Sequence, residues 1–197
     1  MYRPLINSEE INQLDLIQFE GPIHVVSDIE TQETIANRLM ENTLLGFDTE
    51  ARPSFKKGVI HPVSLLQLST KKEAYLFRLN ESGIGDNLKN ILSSSEIKKV
   101  GVAIEDDIID LQRLRPFVAR GFISLEREVK KVGIESNGLR KIAAIILKKR
   151  ISKGAQVSNW DADELTDKQL TYAATDAWIS IRMLEELNKS HPDIFIY

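Results

Sequence analysis

Leu44 to Ala51 reads LLGFDTEA, and the interpretation of this run decides the fold. Its apolar opening follows the polar Glu41-Asn42-Thr43, and its length suits a strand. Successive strand side chains point to opposite faces, so Asp48 and Glu50 share one face while Phe47 and Thr49 take the other. Two carboxylates therefore converge beside LLGF. Burying such a pair without partners is costly, and ligation of a metal is one compensation; a strand end emerging into water is the alternative.

The flanks extend the pattern in both directions. IHVVSD (23–28) reads as a strand, and residues 29–42 as an amphipathic helix whose apolar face gathers Ile35, Ala36, Leu39 and Met40. Downstream, VSLLQLS (63–69) and EAYLFRL (73–79) are strand-length runs joined by polar turns, and such short connectors favour an antiparallel meander with LLGFDTEA. GIGDNLKNILSS (83–94) then reads as helix, KKVGVA (98–103) as strand, EDDIIDLQRL (105–114) as helix and ARGFISLE (119–126) as a last strand. From about Asn137 helical patterns alternate with the loop SKGAQVSNWDAD (152–163). The expected class is α/β, a mixed sheet in which an antiparallel meander meets parallel strands between flanking helices. Residues 1–20 read as an arm or short helix laid on a single domain formed by 21–197, with no repeat or linker dividing it.

Two further acidic positions stand out. At ~100° per residue, Ile104, Ile108 and Leu111 form an apolar stripe with Asp107 at its margin, whereas Asp106 lies on the far side with Asp110 and Arg113. Helix-N-terminal acids are also favoured by the macrodipole alone, a sufficient account of Glu105 and Asp106. Thr166 and Gln169 form a T-x-x-Q capping box, which starts a helix that carries Tyr172 and Asp176 one turn apart. Their shared face continues through Ile179 and Met183, so the aspartate requires a partner. A Tyr172–Asp176 hydrogen bond closing a helix contact is the plain alternative to a catalytic pair.

Composition bounds the chemistry. At 197 residues, 42% hydrophobic and 28% charged, the chain has the profile of one ordinary soluble domain. It has no run of eighteen apolar residues, and MYRPLINSEEINQ lacks the start of a secretory signal, so a cytoplasmic location and no membrane contact are expected. Without cysteine, any metal must sit on oxygen or histidine ligands. A net charge of −3 argues against nucleic-acid binding on average. Two bound divalent ions would carry it to about +1 and place the attraction at the metal site. Lys56-Lys57 and the stretch from Lys148 to Lys153 are local basic clusters, equally readable as solvated surface.

Asp48 and Glu50 in LLGFDTE, Asp107 in VGVAIEDDIIDL, and Tyr172 with Asp176 in LTYAATDAW together resemble the DEDD superfamily of 3′–5′ exonucleases, in its tyrosine-bearing subclass. The resemblance is to the Werner-syndrome-type exonuclease domain, with ribonuclease D as a relative, and runs from roughly Gly21 to the last helix. It implies a ribonuclease-H-like sheet and hydrolysis of nucleic acid from the 3′ end, releasing nucleoside monophosphates. Asp48, Glu50, Asp107 and Asp176 would hold two Mg²⁺ or Mn²⁺, one activating water and the other stabilising the leaving 3′ oxygen. Tyr172 would orient that water. IEDD stands where the pattern has IEGD, which puts Asp107 at the ligand position and Asp106 in place of a glycine.

Asn137-Gly138-Leu139 and Ser158-Asn159-Trp160 also recur in Werner-type sequences, making Asn137, Leu139 and Trp160 candidate substrate contacts, although packing suits Trp160 as well. Arg52, Lys56 and Lys57 follow the first acidic strand in a loop that could meet phosphates. His24 and His61 lack metal-ligand spacing and read as structural. Expected partners are single-stranded or frayed 3′ ends, DNA somewhat ahead of RNA, with a protein partner for targeting. Two other classes compete: a phosphodiesterase of short oligonucleotides or nucleotides, and a nucleic-acid-binding module with weak turnover.

Overall fold

The computed structural model describes residues 1–56 and 58–194. Its strands are β1 (Ile23–Val26), β2 (Leu44–Ala51), β3 (Val63–Ser69), β4 (Ala74–Arg78), β5 (Lys98–Gly101) and β6 (Phe122–Ser124). They form one sheet in the order β1-β4-β3-β2-β5-β6. The expected meander is present: β2, β3 and β4 pair antiparallel, with a short turn (residues 70–73) between β3 and β4 but a longer connection (residues 52–62) between β2 and β3. β1 lies parallel to β4 at one edge, while β5 and β6 extend the other side of β2 in parallel.

The helices are α1 (Ser8–Asn12), α2 (Ile29–Leu39), α3 (Leu79–Ser82), α4 (Asp86–Ser93), α5 (Glu105–Leu114), α6 (Leu125–Glu128), α7 (Leu139–Leu147) and α8 (Asp167–Ser190). One sheet face is covered by α2, α4 and α5, whose Ala36, Leu39, Leu88, Ile91 and Leu111 bury with Leu45 and Phe47 of β2. The other face is covered by α8, where Trp178, Ile179 and Met183 join α7 in a second apolar cluster. α8 starts at the predicted box: Gln169 N–H donates to Thr166 Oγ1 at 3.3 Å and Thr166 N–H to Gln169 Oε1 at 3.1 Å.

Two readings change. The last strand spans only Phe122–Ser124, because Gly121 takes a positive φ of 67° and Leu125 already opens α6. Residues 1–20 do include a short helix, α1, but they are not merely laid on the surface. Ile6, Ile11 and Phe19 are buried in the α7–α8 cluster, and Phe19 N–H donates to Thr175 Oγ1 at 3.0 Å.

Candidate active site

Strand alternation places Asp48 and Glu50 of β2 towards α8, and a glycine allows that helix to reach them. A Cβ added to Gly46 would stand 2.1 Å from the carbonyl oxygen of Ala177 and 2.4 Å from Ser69 Oγ, so any side chain there would push α8 off the sheet. With glycine in place Asp176, the residue before Ala177, settles against β2. One carboxylate oxygen each from Asp48, Glu50 and Asp176 then lies within 4.8 Å of the others.

Three carboxyl groups so close cannot all ionise freely. Burial, then the charges of Asp176, Glu50 and Asp107, holds Asp48 well above the usual carboxylate range. Burial and the charges of Asp176 and Asp107 push Glu50 up to about 9, although both β2 acids keep an edge open to solvent. Asp176 is raised to about 7 by burial, and the nearby Tyr172 hydroxyl pulls it partly back. Its Oδ1 is buried and has no hydrogen-bond partner among the described residues. An oxygen-only donor set of this kind, with one ligand atom unsatisfied, fits a hard divalent cation.

Asp107 departs from the expected convergence. The hydroxyl of Thr49, on the opposite face of β2, donates to Asp107 Oδ1 at 2.5 Å, and Asp107 lies outside the 4.8 Å group. The cause is topological: α5 follows β5 on the sheet face opposite α8, where Thr49 is the near polar group. Its helical phase is as expected, with Ile104 and Leu111 buried, Asp107 half-buried and Asp106 exposed. Burial raises the Asp107 carboxyl to about 6, opposed by the Thr49 bond and reinforced by Asp110, Asp106 and Glu105.

Tyr172 stands one turn before Asp176, buried, with burial and the neighbouring acids raising its hydroxyl far above the usual phenol range. Trp160 lies behind it, ring centroids 6.1 Å apart and wholly buried, so the indole supports Tyr172 and offers no surface to a substrate. A cavity of about 250 Å³ opens over Asp48, Glu50, Tyr172 and Asp176 and includes Leu139. Beside it a second, of about 220 Å³, joins Tyr172 and Asp176 to Asn137, Arg140, Lys141 and Lys153. Arg140 and Lys141 are basic residues that the sequence reading passed over; their place on the first turn of α7, just after Asn137-Gly138, was the available signal. Arg52 and Lys56 are exposed in the β2–β3 connection, and Lys57 lies outside the described residues. His24 stacks on Tyr75 at 4.9 Å and sits 3.3 Å from Glu73, a surface arrangement away from the acids.

Residues 23–191 match the 3′–5′ exonuclease family. The chain is 31% identical over 186 residues to the mouse bifunctional 3′-5′ exonuclease/ATP-dependent helicase WRN, covering 89% of this chain and 13% of that protein. It is likewise 31% identical over 203 residues to a putative 3′-5′ exonuclease of Acanthamoeba polyphaga mimivirus, covering 91% of this chain and 50% of the relative. The chain thus spans half or less of these relatives. Among solved structures, the Aedes aegypti Nibbler EXO domain superposes with a TM-score of 0.78 at 22% identity, over 87% of this chain and 89% of that one. Escherichia coli RNase D superposes with a TM-score of 0.73 at 18% identity, over 91% and 48%. These superpositions identify the six-stranded mixed sheet flanked by helices as a ribonuclease-H-like exonuclease fold. A sequence match running from the first strand through the last helix makes the assignment plain: this chain belongs to the 3′–5′ exonuclease family.

Proposed function

We propose that the chain removes nucleoside monophosphates from the 3′ end of nucleic acid by divalent-cation-dependent hydrolysis, as a member of the tyrosine-bearing DEDD subclass. The observation that carries this is the gathering of Asp48, Glu50 and Asp176 within 4.8 Å, with a buried, unpartnered carboxylate oxygen and Tyr172 one turn away. Asp48, Glu50, Asp176 and Asp107 would hold two Mg²⁺ or Mn²⁺, Asp107 exchanging its bond to Thr49 for this role. Bound cations supply a water acidic enough to attack at neutral pH and offset charge on the leaving oxygen. Tyr172 keeps its proton throughout the neutral range, so its hydroxyl orients the attacking water as a hydrogen-bonding group and does not act as the base.

Arg52, Lys56, Lys57, Asn137 and Leu139 remain the proposed substrate contacts, joined by Arg140, Lys141 and Lys153, which place positive charge beside the acids. Trp160 leaves that set. The preference for DNA rests on the Werner-type resemblance alone, and the cytoplasmic location on composition alone. The test is digestion of 3′-labelled and 5′-labelled DNA and RNA with Mg²⁺, Mn²⁺ or EDTA. Metal-dependent release of labelled mononucleotide from the 3′ label is expected, while the 5′ label shortens stepwise. Activity unaffected by EDTA, or cleavage confined to dinucleotides, would overturn the reading.

A further inference from the structure

Gln67 lies in the middle of β3, wholly buried, and the antiparallel register sets it directly opposite Asp48. Residues so paired point to the same face with Cβ atoms about 4.5–5.5 Å apart. On its other side Gln67 is paired with Leu76, which with Leu65, Trp160, Tyr172 and Ala173 forms the apolar cluster behind the acids. A glutamine amide carries two N–H donors and an accepting oxygen. Among the described residues neither Nε2 nor Oε1 of Gln67 has a hydrogen-bond partner.

Its neighbours in the strand, Leu65, Leu66 and Leu68, show what stability alone selects at these positions. A buried amide with both ends unmade weakens the fold relative to leucine or methionine, so its presence calls for a role that a hydrocarbon cannot fill. The polar group it faces is the Asp48 carboxylate. Once a cation is bound Asp48 is ionised and only accepts, so it selects the Nε2 end of the amide. The Oε1 end is then left to the side of the Leu65–Leu76–Trp160 cluster, in which the Trp160 indole N–H is itself a buried donor without a partner.

We infer that Gln67 is a positioning residue for Asp48: when a divalent cation is bound, its Nε2–H donates to the Asp48 carboxylate and fixes the plane in which that carboxylate meets the cation. The inference rests on the metal-dependent reading of the site. Outer partners of this kind typically change metal affinity or activity ten- to a hundredfold when removed.

The test is Gln67→Met, which keeps side-chain length and deletes both polar ends. Calorimetric titration with Mn²⁺ alone and the melting temperature of the metal-free protein are measured beside wild type. The Mn²⁺ Kd is expected to rise about ten- to a hundredfold, with the metal-free melting temperature unchanged or higher. In ¹⁵N-labelled wild-type protein, the Gln67 side-chain amide resonance is expected to move on saturation with Mg²⁺; this readout decides the matter should Q67M not fold. An unchanged Mn²⁺ Kd in folded Q67M, or an unmoved Gln67 amide in Mg²⁺-saturated wild type, overturns the inference, and a lowered melting temperature with unchanged Kd assigns Gln67 to folding alone. Wild-type protein that binds no Mn²⁺ fails the metal-dependent reading itself, and the role of Gln67 falls with it.

Discussion

Tyr172 and Asp107 show how much depends on single atoms. Because burial and adjacent acids keep the Tyr172 hydroxyl protonated, Tyr172→Phe removes an orienting bond and leaves charge and packing in place. Turnover should fall on the order of 10²–10³, by analogy with the loss of one transition-state donor, while substrate Kd and melting temperature hold. A lower melting point with normal kcat would make the tyrosine a packing residue. For the adjacent acids, Asp107→Asn should lower turnover roughly ten- to a hundredfold and Asp106→Asn should change little, since Asp107 is half-buried against Thr49 of β2 while Asp106 is exposed. Kinetics of both variants at saturating Mn²⁺ decide this, and the reverse order would shift the proposed ligand by one residue. Alternation alone was enough to put Asp48 and Glu50 together. It could not pair Asp107 with Thr49, because a period tells which face a side chain takes and not which element arrives there.

At the scale of elements, α8 is seated on β2 through a position with no side chain. Gly46→Ala would place a methyl against the Ala177 carbonyl and Ser69, and overpacking of this kind typically costs about 1–3 kcal/mol. Since the displaced helix carries Asp176, Mn²⁺ affinity should fall along with the melting temperature. A variant that melts lower yet binds Mn²⁺ as before would show that helix seating and metal geometry are separable. In the sequence Gly46 was one residue of an apolar run; nothing nearby revealed that a helix from the far end of the chain descends on it. The capping box of α8, by contrast, is a local signal and was legible to the residue. The start of β6 depends on Gly121, where a side chain would strike the carbonyls of Ser94 and Ile97, which are distant in sequence, and no local signal shows that.

For the molecule as a whole, the clustered acids set a pH dependence with a definite sign. Glu50, Asp176 and Asp107 have folded-state pKa values of about 9, 7 and 6, all above their ordinary ones, so between about pH 4.5 and 7 the native state holds more protons than the unfolded chain. Metal-free protein should therefore melt lower at pH 7 than at pH 5, and saturating Mg²⁺ should shrink or reverse that difference. Thermal melts at the two pH values with EDTA or Mg²⁺ check this; a metal-free melting point that rises from pH 5 to 7 would refute it. Lys99, wholly buried, donating to the carbonyls of Ser94 and Ile97, and lowered to about 7 by burial, acts with the opposite sign, but only above about pH 7. Asp28 and Glu10, lowered chiefly by backbone hydrogen bonds at helix starts, also oppose the trend, but only below the ordinary carboxylate range. The β3–β4 pair was legible at this scale because its short connector leaves the strands no other pairing, whereas the longer stretch 52–62 left the pairing of β2 with β3 to the sheet as a whole. The place of β1 beside β4 was not, since nothing local marks a sheet edge. The order of the elements has a further consequence. Asp48 leaves the ribosome early and Asp176 late, separated at about 5–20 residues per second by an interval on the order of ten seconds. Throughout that interval the nascent chain holds its first two carboxylates without their third, so the acidic cluster can assemble only once the last helix has been made.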